Sequence, residues 1–392
     1  MGQRNPERVA WAILWLSFLV LCAILFGGWQ GVSNYLAWAT AAREARLEIL
    51  SGTVLLREPG TKNEVNVPGT VPLREGTAIR TTAGSQAIVW LPDGSNVRLW
   101  PSTALEIQRL RFTVYNSNAS EMVLKLSAGH TRVEVALPAT VSRRFVVLTP
   151  NAEARLREGS YGLDVQSGQT EVSTRYGSAT VEASNHSVEV LQRERVVVPE
   201  GAAPSDPTPA IWNLVRNGQF SPDLSGWQSG NRDEEEAVVG RVEATMAYDR
   251  PVAHFSRQGA TKHAETFLFQ PIGRDVSDYQ RLILTLDLKL LNQSLSGGGW
   301  RGSEYPLMVR LRYHDAYGSE VMWVRGFYYQ NKGKLPTNDG QQVPQNEWVR
   351  FELNLFDPQQ VSPRPVDVIS LEICASGWDY DSQVANVSLL AE

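Results

Sequence analysis

Cysteine is nearly missing from this chain of 392 residues, with only Cys22 and Cys374 present. Cys22 sits in an apolar run near the start and Cys374 in a strand-like stretch near the end. No disulfide framework is expected, and any folded domain must hold together on its core alone. Histidine is scarce as well, with five copies: His130, His186, His254, His263 and His314. None stands in an H-E-x-x-H spacing or in a sequence-near cluster with carboxylates, which argues against a zinc hydrolase. A G-x-S-x-G nucleophile elbow and a Walker A loop are both missing. Gly297, Gly299 and Gly302 satisfy G-x-G-x-x-G literally, but the next residues lead into another strand, where a dinucleotide loop needs a helix. Basic excess is missing too. The formal net charge is −5, so the composition carries no bulk sign of nucleic-acid binding. The acidic run Glu234, Glu235 and Glu236 reads as a solvated loop, and no carboxylate pair can be assigned across a cleft. The expectation is a protein that is not an enzyme.

What is present begins with a charge-free run, Val9 to Gly28. As a helix it spans about 30 Å, the thickness of a hydrocarbon core. Arg4 and Arg8 precede it, whereas Trp29, Tyr35 and Trp38 follow it before Arg43 and Arg46. Arginines before and aromatics after predict a single-pass cell-membrane anchor with the N-terminus cytoplasmic and the bulk extracytoplasmic. Ala37-Trp38-Ala39 and Ala39-Thr40-Ala41 resemble cleavage sites of a secretory signal, which keeps cleavage open as the alternative. The run is longer than the usual h-region of ~7–15 residues, which favours the anchor. Cys22 lacks the small preceding residue of a lipoprotein cysteine and reads as a small apolar residue. The expected division is a tail 1–8, too short for a cytoplasmic domain, a transmembrane helix 9–28 and a juxtamembrane segment 29–46.

From Leu47 the pattern changes to short apolar runs broken by Gly, Pro, Asp and Asn. Ala87 to Leu91, Val97 to Leu99, Phe145 to Leu148 and Val188 to Val190 alternate with period two, as half-buried strands do. Pro92-Asp93-Gly94-Ser95 between two such runs is a hairpin signal. The residues Leu73, Gly76, Ile79, Thr81, Gly84, Ala87, Leu91, Asp93, Gly94, Ser95, Val97, Leu99, Ser102 and Leu105, followed by Leu126, Gly129 and Val133, resemble the core pattern of the FecR family. Phe145, Thr149, Pro150, Ala152, Ala154 and Gly159 continue it. Glu158-Gly159-Ser160-Tyr161 departs from the family's Arg-Gly-Thr and aromatic at that place. The resemblance implies an antiparallel β domain over 47–200 and a place outside the cytoplasm. Regulatory family members carry a cytoplasmic segment for a sigma factor, for which the short tail leaves no room. The glycines and Asp93 are most simply turn residues.

Gly201 to Ala210, with Pro204, Pro207 and Pro209, reads as a semi-rigid spacer and a domain boundary. Beyond it, Asn217-Gly218-Gln219-Phe220 and Gly226-Trp227 resemble the opening of galactose-binding-like, carbohydrate-binding jelly-roll modules. Strand-like runs recur at 253–255, 266–272, 282–290, 307–313, 321–329, 348–353, 366–373 and 384–389. The fold class expected for the chain is therefore all-β: one apolar helix, a FecR-like domain and a β-sandwich jelly roll over 211–392. The chain has twelve tryptophans, and those in such a module can offer aromatic faces to sugars. The candidate ligand-binding residues are Trp300, in a glycine-rich loop too polar and flexible for core, with Tyr305, Tyr328, Tyr329, Trp378 and Tyr380. Trp227, Trp323 and Trp348 read as core. No cofactor is required, although Asp379 and Asp381, with Asp357, could offer oxygens to a structural calcium.

The expected function is a membrane-anchored binding or scaffold protein of the bacterial envelope, whose partner is a glycan or an envelope protein and not nucleic acid. The alternative is FecR-like transmembrane signalling through a partner in the membrane. A carbohydrate-active enzyme is the third reading, supported by architecture alone.

Overall fold

The computed structural model describes residues 6–38, 40–113, 119–136 and 142–392. Residues 1–5 of the expected tail, Arg4 included, lie outside them. The chain divides into two compact units, Met1–Ala210 and Ile211–Glu392. Among the described residues both are built of strands, apart from one N-terminal helix.

The helix runs Pro6–Trp38, and its stretch Ile13–Ser33 is long and apolar enough to cross a membrane, with none of it buried. It continues past Gly28 because no proline interrupts the turns that follow. Most of the segment expected to be juxtamembrane therefore belongs to regular elements. Its first part is helix, Thr40–Ala42 pairs with Arg111 to Thr113, and Ala45–Ser51 enters a sheet.

Two sheets of this first unit share one long strand, Ala119–Val135. Its first half pairs with Ala104–Thr113 and, in parallel, with Ser142–Leu148; its second half pairs with Asn96–Leu99 and Gly159–Gln166. The parallel pairing departs from the expected antiparallel plan. The handover falls at Gly129, whose φ of +90° is open to glycine and strained for other residues. A β-carbon there would also run into Thr103. Alternation sends Leu47, Val89, Val97, Leu105, Leu124, Val147 and Leu163 into one continuous core. The hairpin is as read: Asp93 caps its own turn by accepting from the Ser95 amide at 3.0 Å, and Gly94 has φ +87°. Tyr161 is buried, and its hydroxyl donates toward the Ser178, Arg157 and Glu158 carbonyls at 2.9, 3.1 and 3.2 Å. Gly201 to Ala210, read as a semi-rigid spacer, is tied to a sheet edge of the first unit. Thr208–Pro209 pairs with Glu194 and Arg195, and the Ser205 and Ala210 amides donate to Val197 and Arg193 carbonyls. Proline lacks an amide but keeps its carbonyl, so such a segment can still line a sheet edge.

The second unit is a sandwich of two six-stranded sheets. One runs Arg241–Ala247, Arg250–Arg257, Tyr380–Ala391, Leu282–Gln293 and Val349–Asn354, with Trp212–Asn213 added on Tyr380–Ala391. The other runs Gln228–Arg232, Ala264–Asp275, Asp367–Gly377, Leu307–His314, Glu320–Tyr328 and Gly340–Gln342. Period-two alternation puts Leu284, Leu286, Leu288, Val309, Leu311, Ile373 and Leu389 between the sheets. Trp227 and Trp323 are buried there, as expected, while Trp348 lies half-buried under the Arg250 guanidinium, 4.6 Å from its ring.

Candidate ligand-binding cleft

Two of the sequence candidates, Trp300 and Trp378, line one open cleft of about 620 Å³ in the second unit, together with Glu235, Lys262, His263, Arg301 and Glu304. Trp300 is 71% exposed, and Trp378 is half-buried. They come from different loops, one before Leu307–His314 and one between the last two strands.

The Trp300 loop is pinned and not flexible as its composition suggests. The Gly297 and Gly298 amides donate to the Gln330 and Pro336 carbonyls at 2.9 and 3.0 Å, and Glu304 N donates to the Gly298 carbonyl at 2.7 Å. Gly297, Gly299 and Gly302 all have positive φ, which explains the G-x-G-x-x-G spacing as a tight loop between strands. Beneath it, His263 Nδ1 lies 2.7 Å from Glu304 Oε1, both side chains almost fully enclosed. Glu304 Oε2 accepts from the Arg301 amide at 3.1 Å, next to Trp300. Burial pushes the Glu304 carboxyl up, but the hydrogen bonds from His263 and the Arg301 amide, with the nearby positive charges, outweigh it and hold it below the usual range. At the rim, Arg301 Nη2 pairs with Glu235 at 2.6 Å.

The Trp378 loop is organised by Arg257, whose side chain is completely buried. Its guanidinium donates to the carbonyls of Val238 at 2.9 Å, Lys262 at 2.7 Å, Gly377 at 2.7 Å and Trp378 at 3.1 Å. It also reaches Glu236 Oε1 at 3.3 Å. Three loops that meet at the cleft are thus tied to one side chain. Glu236 adds a second tie, accepting from the Lys262 and Thr261 amides at 3.0 and 2.7 Å. Those amide bonds and the Arg257 charge lower its pKa. The acidic run is therefore not a plain solvated loop: Glu235 and Glu236 both hold the cleft.

Other candidates fall elsewhere. Tyr305 is fully buried, lying on Gly326 and Gly340 with its hydroxyl donating to the Asn338 carbonyl at 2.7 Å. Tyr380 is buried with its hydroxyl 2.6 Å from Thr266 Oγ1. Burial pushes both phenols up to about 12. Neither offers a free face: the Tyr305 ring is packed on Gly326 and Gly340, and Tyr380 is buried at the start of the last strand. Tyr328 is half-buried, stacked on Tyr305 at 6.1 Å and outside the cleft lining. The hydroxyl of Tyr329 accepts from the Gln293 amide at 3.1 Å. The three aspartates do not converge on a cation. Asp379 accepts from the Ala260 amide at 2.7 Å, Asp381 lies 2.7 Å from His254 Nε2, and Asp357 accepts from the Gln359 amide at 3.0 Å. Among the described residues no group of three or more His, Cys, Asp or Glu could hold a metal.

Sequence reading missed Arg257, the His263–Glu304 pair and the role of Glu235 and Glu236. The partners lie dozens of residues apart, and only the acidic run gave a local signal. Chemically, the cleft offers two indole faces beside paired charges and a threonine, which suits the apolar face and hydroxyls of a pyranose.

Comparison with known proteins adds a family match in the first unit. Residues 77–180 match the family described as FecR protein. That range covers the core pattern named above and its hairpin, apart from Leu73 and Gly76. No curated protein matches the chain. Among solved structures, a protein described as an anti-sigma factor from Parabacteroides distasonis ATCC 8503 shares 21% identity, covering 34% of this chain and 59% of that one at a TM-score of 0.28. This chain thus spans about three fifths of that relative's length. A family 11 carbohydrate-binding module from Clostridium thermocellum, solved with a β-1,3-1,4-mixed-linked tetrasaccharide, shares 11% identity, covering 46% of this chain and 94% of that one at 0.28. The enzymatically active domain of bacteriophage CBA120 tailspike protein 4 shares 16%, covering 45% and 21% at 0.29. At these TM-scores the three likenesses carry no argument about function.

Proposed function

We propose that the chain is a membrane-anchored, extracytoplasmic binding protein of the bacterial envelope, non-enzymatic, whose 211–392 unit recognises a glycan through Trp300 and Trp378. The observation that carries this reading is the convergence of two indoles from separate loops on one cleft whose walls are pinned by Arg257 and Glu304. A preformed site loses little entropy on binding. The apolar helix would act as the anchor, its N-terminus cytoplasmic, and the FecR-like unit over 47–200 as the membrane-proximal platform. The test is a glycan array probed with the full chain in detergent micelles. Trp300→Ala should weaken the best hit about ten-fold, equivalent to about 1.4 kcal/mol, with no change in thermal unfolding. Binding that survives both Trp300→Ala and Trp378→Ala would place the site elsewhere.

A second reading is transmembrane regulation, favoured by the FecR match over 77–180. It requires the helix itself to contact a membrane partner. Exchanging Ile13–Ser33 for an unrelated apolar helix should then abolish the transcriptional output, and an unchanged output removes this reading.

A further inference from the structure

The sandwich has a second opening, distinct from the tryptophan cleft. It is a groove of about 450 Å³ between Glu320–Tyr328 of one sheet and Val349–Asn354 of the other. On Glu320–Tyr328, strand alternation puts Val321, Trp323 and Phe327 in the core between the sheets. Arg325 lies on that same inward face and lines the groove. An arginine among core positions would ordinarily carry a carboxylate partner, since an unpaired charge held away from water is costly. Arg325 has none. Its Nε is enclosed and without an acceptor, and its guanidinium carbon lies 5.7 Å from the Trp323 ring. The other charges of the groove are already engaged. Asp357 caps its own turn through the Gln359 amide at 3.0 Å, and Arg350 faces Glu352 at 3.7 Å. Among the described residues that line the groove, Arg325 is therefore the charge left without an opposite partner.

Around it stand groups suited to hydroxyls. Gln341 and Gln360 bring carboxamides to the groove, and Phe351 forms an apolar part of the wall. The volume is within the ~300–1,000 Å³ usual for small-ligand sites. A guanidinium with an empty edge selects a planar, bidentate anion, and a carboxylate meets that geometry. We propose that this open edge of the sandwich is a second binding site, which takes a carboxylate-bearing sugar with its carboxylate on Arg325 and its hydroxyls on Gln341 and Gln360. The site does not depend on the tryptophan cleft.

Calorimetric titration of the full chain in detergent micelles with a galacturonate trisaccharide tests it, beside the neutral galactose trisaccharide. The acidic sugar should bind, weaken with added salt, and lose at least ten-fold in affinity in Arg325→Gln. Trp300→Ala should leave it unchanged, so the two sites fail or succeed separately. If Arg325→Gln does not fold, Arg325→Lys, which keeps the charge but not the fork, and Gln360→Ala should each cost several-fold. Absence of acidic-sugar binding, equal affinity in the folded Arg325 variants, or full displacement by a triglutamate peptide at equal affinity would overturn the proposal.

Discussion

Arg257 illustrates how a single residue can act on several loops at once. Its burial is offset because each of its donor nitrogens finds an oxygen, in all four carbonyls and the Glu236 carboxylate. Arg257→Met keeps bulk but orphans those carbonyls, and should lower the unfolding free energy by about 3 kcal/mol. Denaturant titration of tryptophan fluorescence measures this. Glycan affinity should fall alongside, because the Trp378 carbonyl loses its tie. The outer face of the second sheet carries another network, in which Glu265 accepts from Arg310 at 2.7 Å and Arg232 at 2.8 Å. Burial raises the Glu265 pKa, but the two guanidinium groups outweigh it and hold the carboxyl at about 2. An unfolded glutamate titrates near 4.3. The folded state therefore binds fewer protons between those values. The stabilisation, roughly 3 kcal/mol, is complete above about pH 5 and fades as pH falls toward 2. Glu265→Gln should be less stable at neutral pH and should show a shallower acid slope between pH 5 and 2 in thermal unfolding. An unchanged slope would mean the network contributes nothing.

At the scale of elements, strand Ala119–Val135 serves both sheets of the first unit and turns between them at Gly129. Gly129→Ala combines a positive φ with the approach to Thr103, and should destabilise that unit by about 2–3 kcal/mol. Hydrogen exchange of amides in Ser142–Leu148 and Gly159–Gln166, which flank this strand, would report the loss. Most strands were legible as alternating runs: all eight runs read in the second unit fall within or overlap strands of the structure. The helix was legible by apolar length, but its end was not, since nothing local marks Trp38 as a stop. Gly201 to Ala210 shows the opposite case. Its prolines speak against central strands, yet an edge needs few amides, so composition alone could not separate a spacer from an edge strand.

For the whole molecule, the sequence by itself determined the class of fold: one apolar helix, then strands, with the FecR pattern in the first unit. Those features are local, because alternation, turn chemistry and apolar length are written in neighbouring residues. It also placed Trp300 and Trp378 outside the core, through loops rich in Gly and Asp. Tertiary structure alone decided which aromatics share a cleft, why Tyr305 and Tyr380 do not, and that Asp379 and Asp381 serve different partners. It alone paired His263 with Glu304, gathered three loops on Arg257 and left Arg325 facing inward with no carboxylate partner among the described residues. The physical reason is that such contacts join residues tens to more than a hundred positions apart, and their partners are chosen by strand order and register, which no short window of sequence contains.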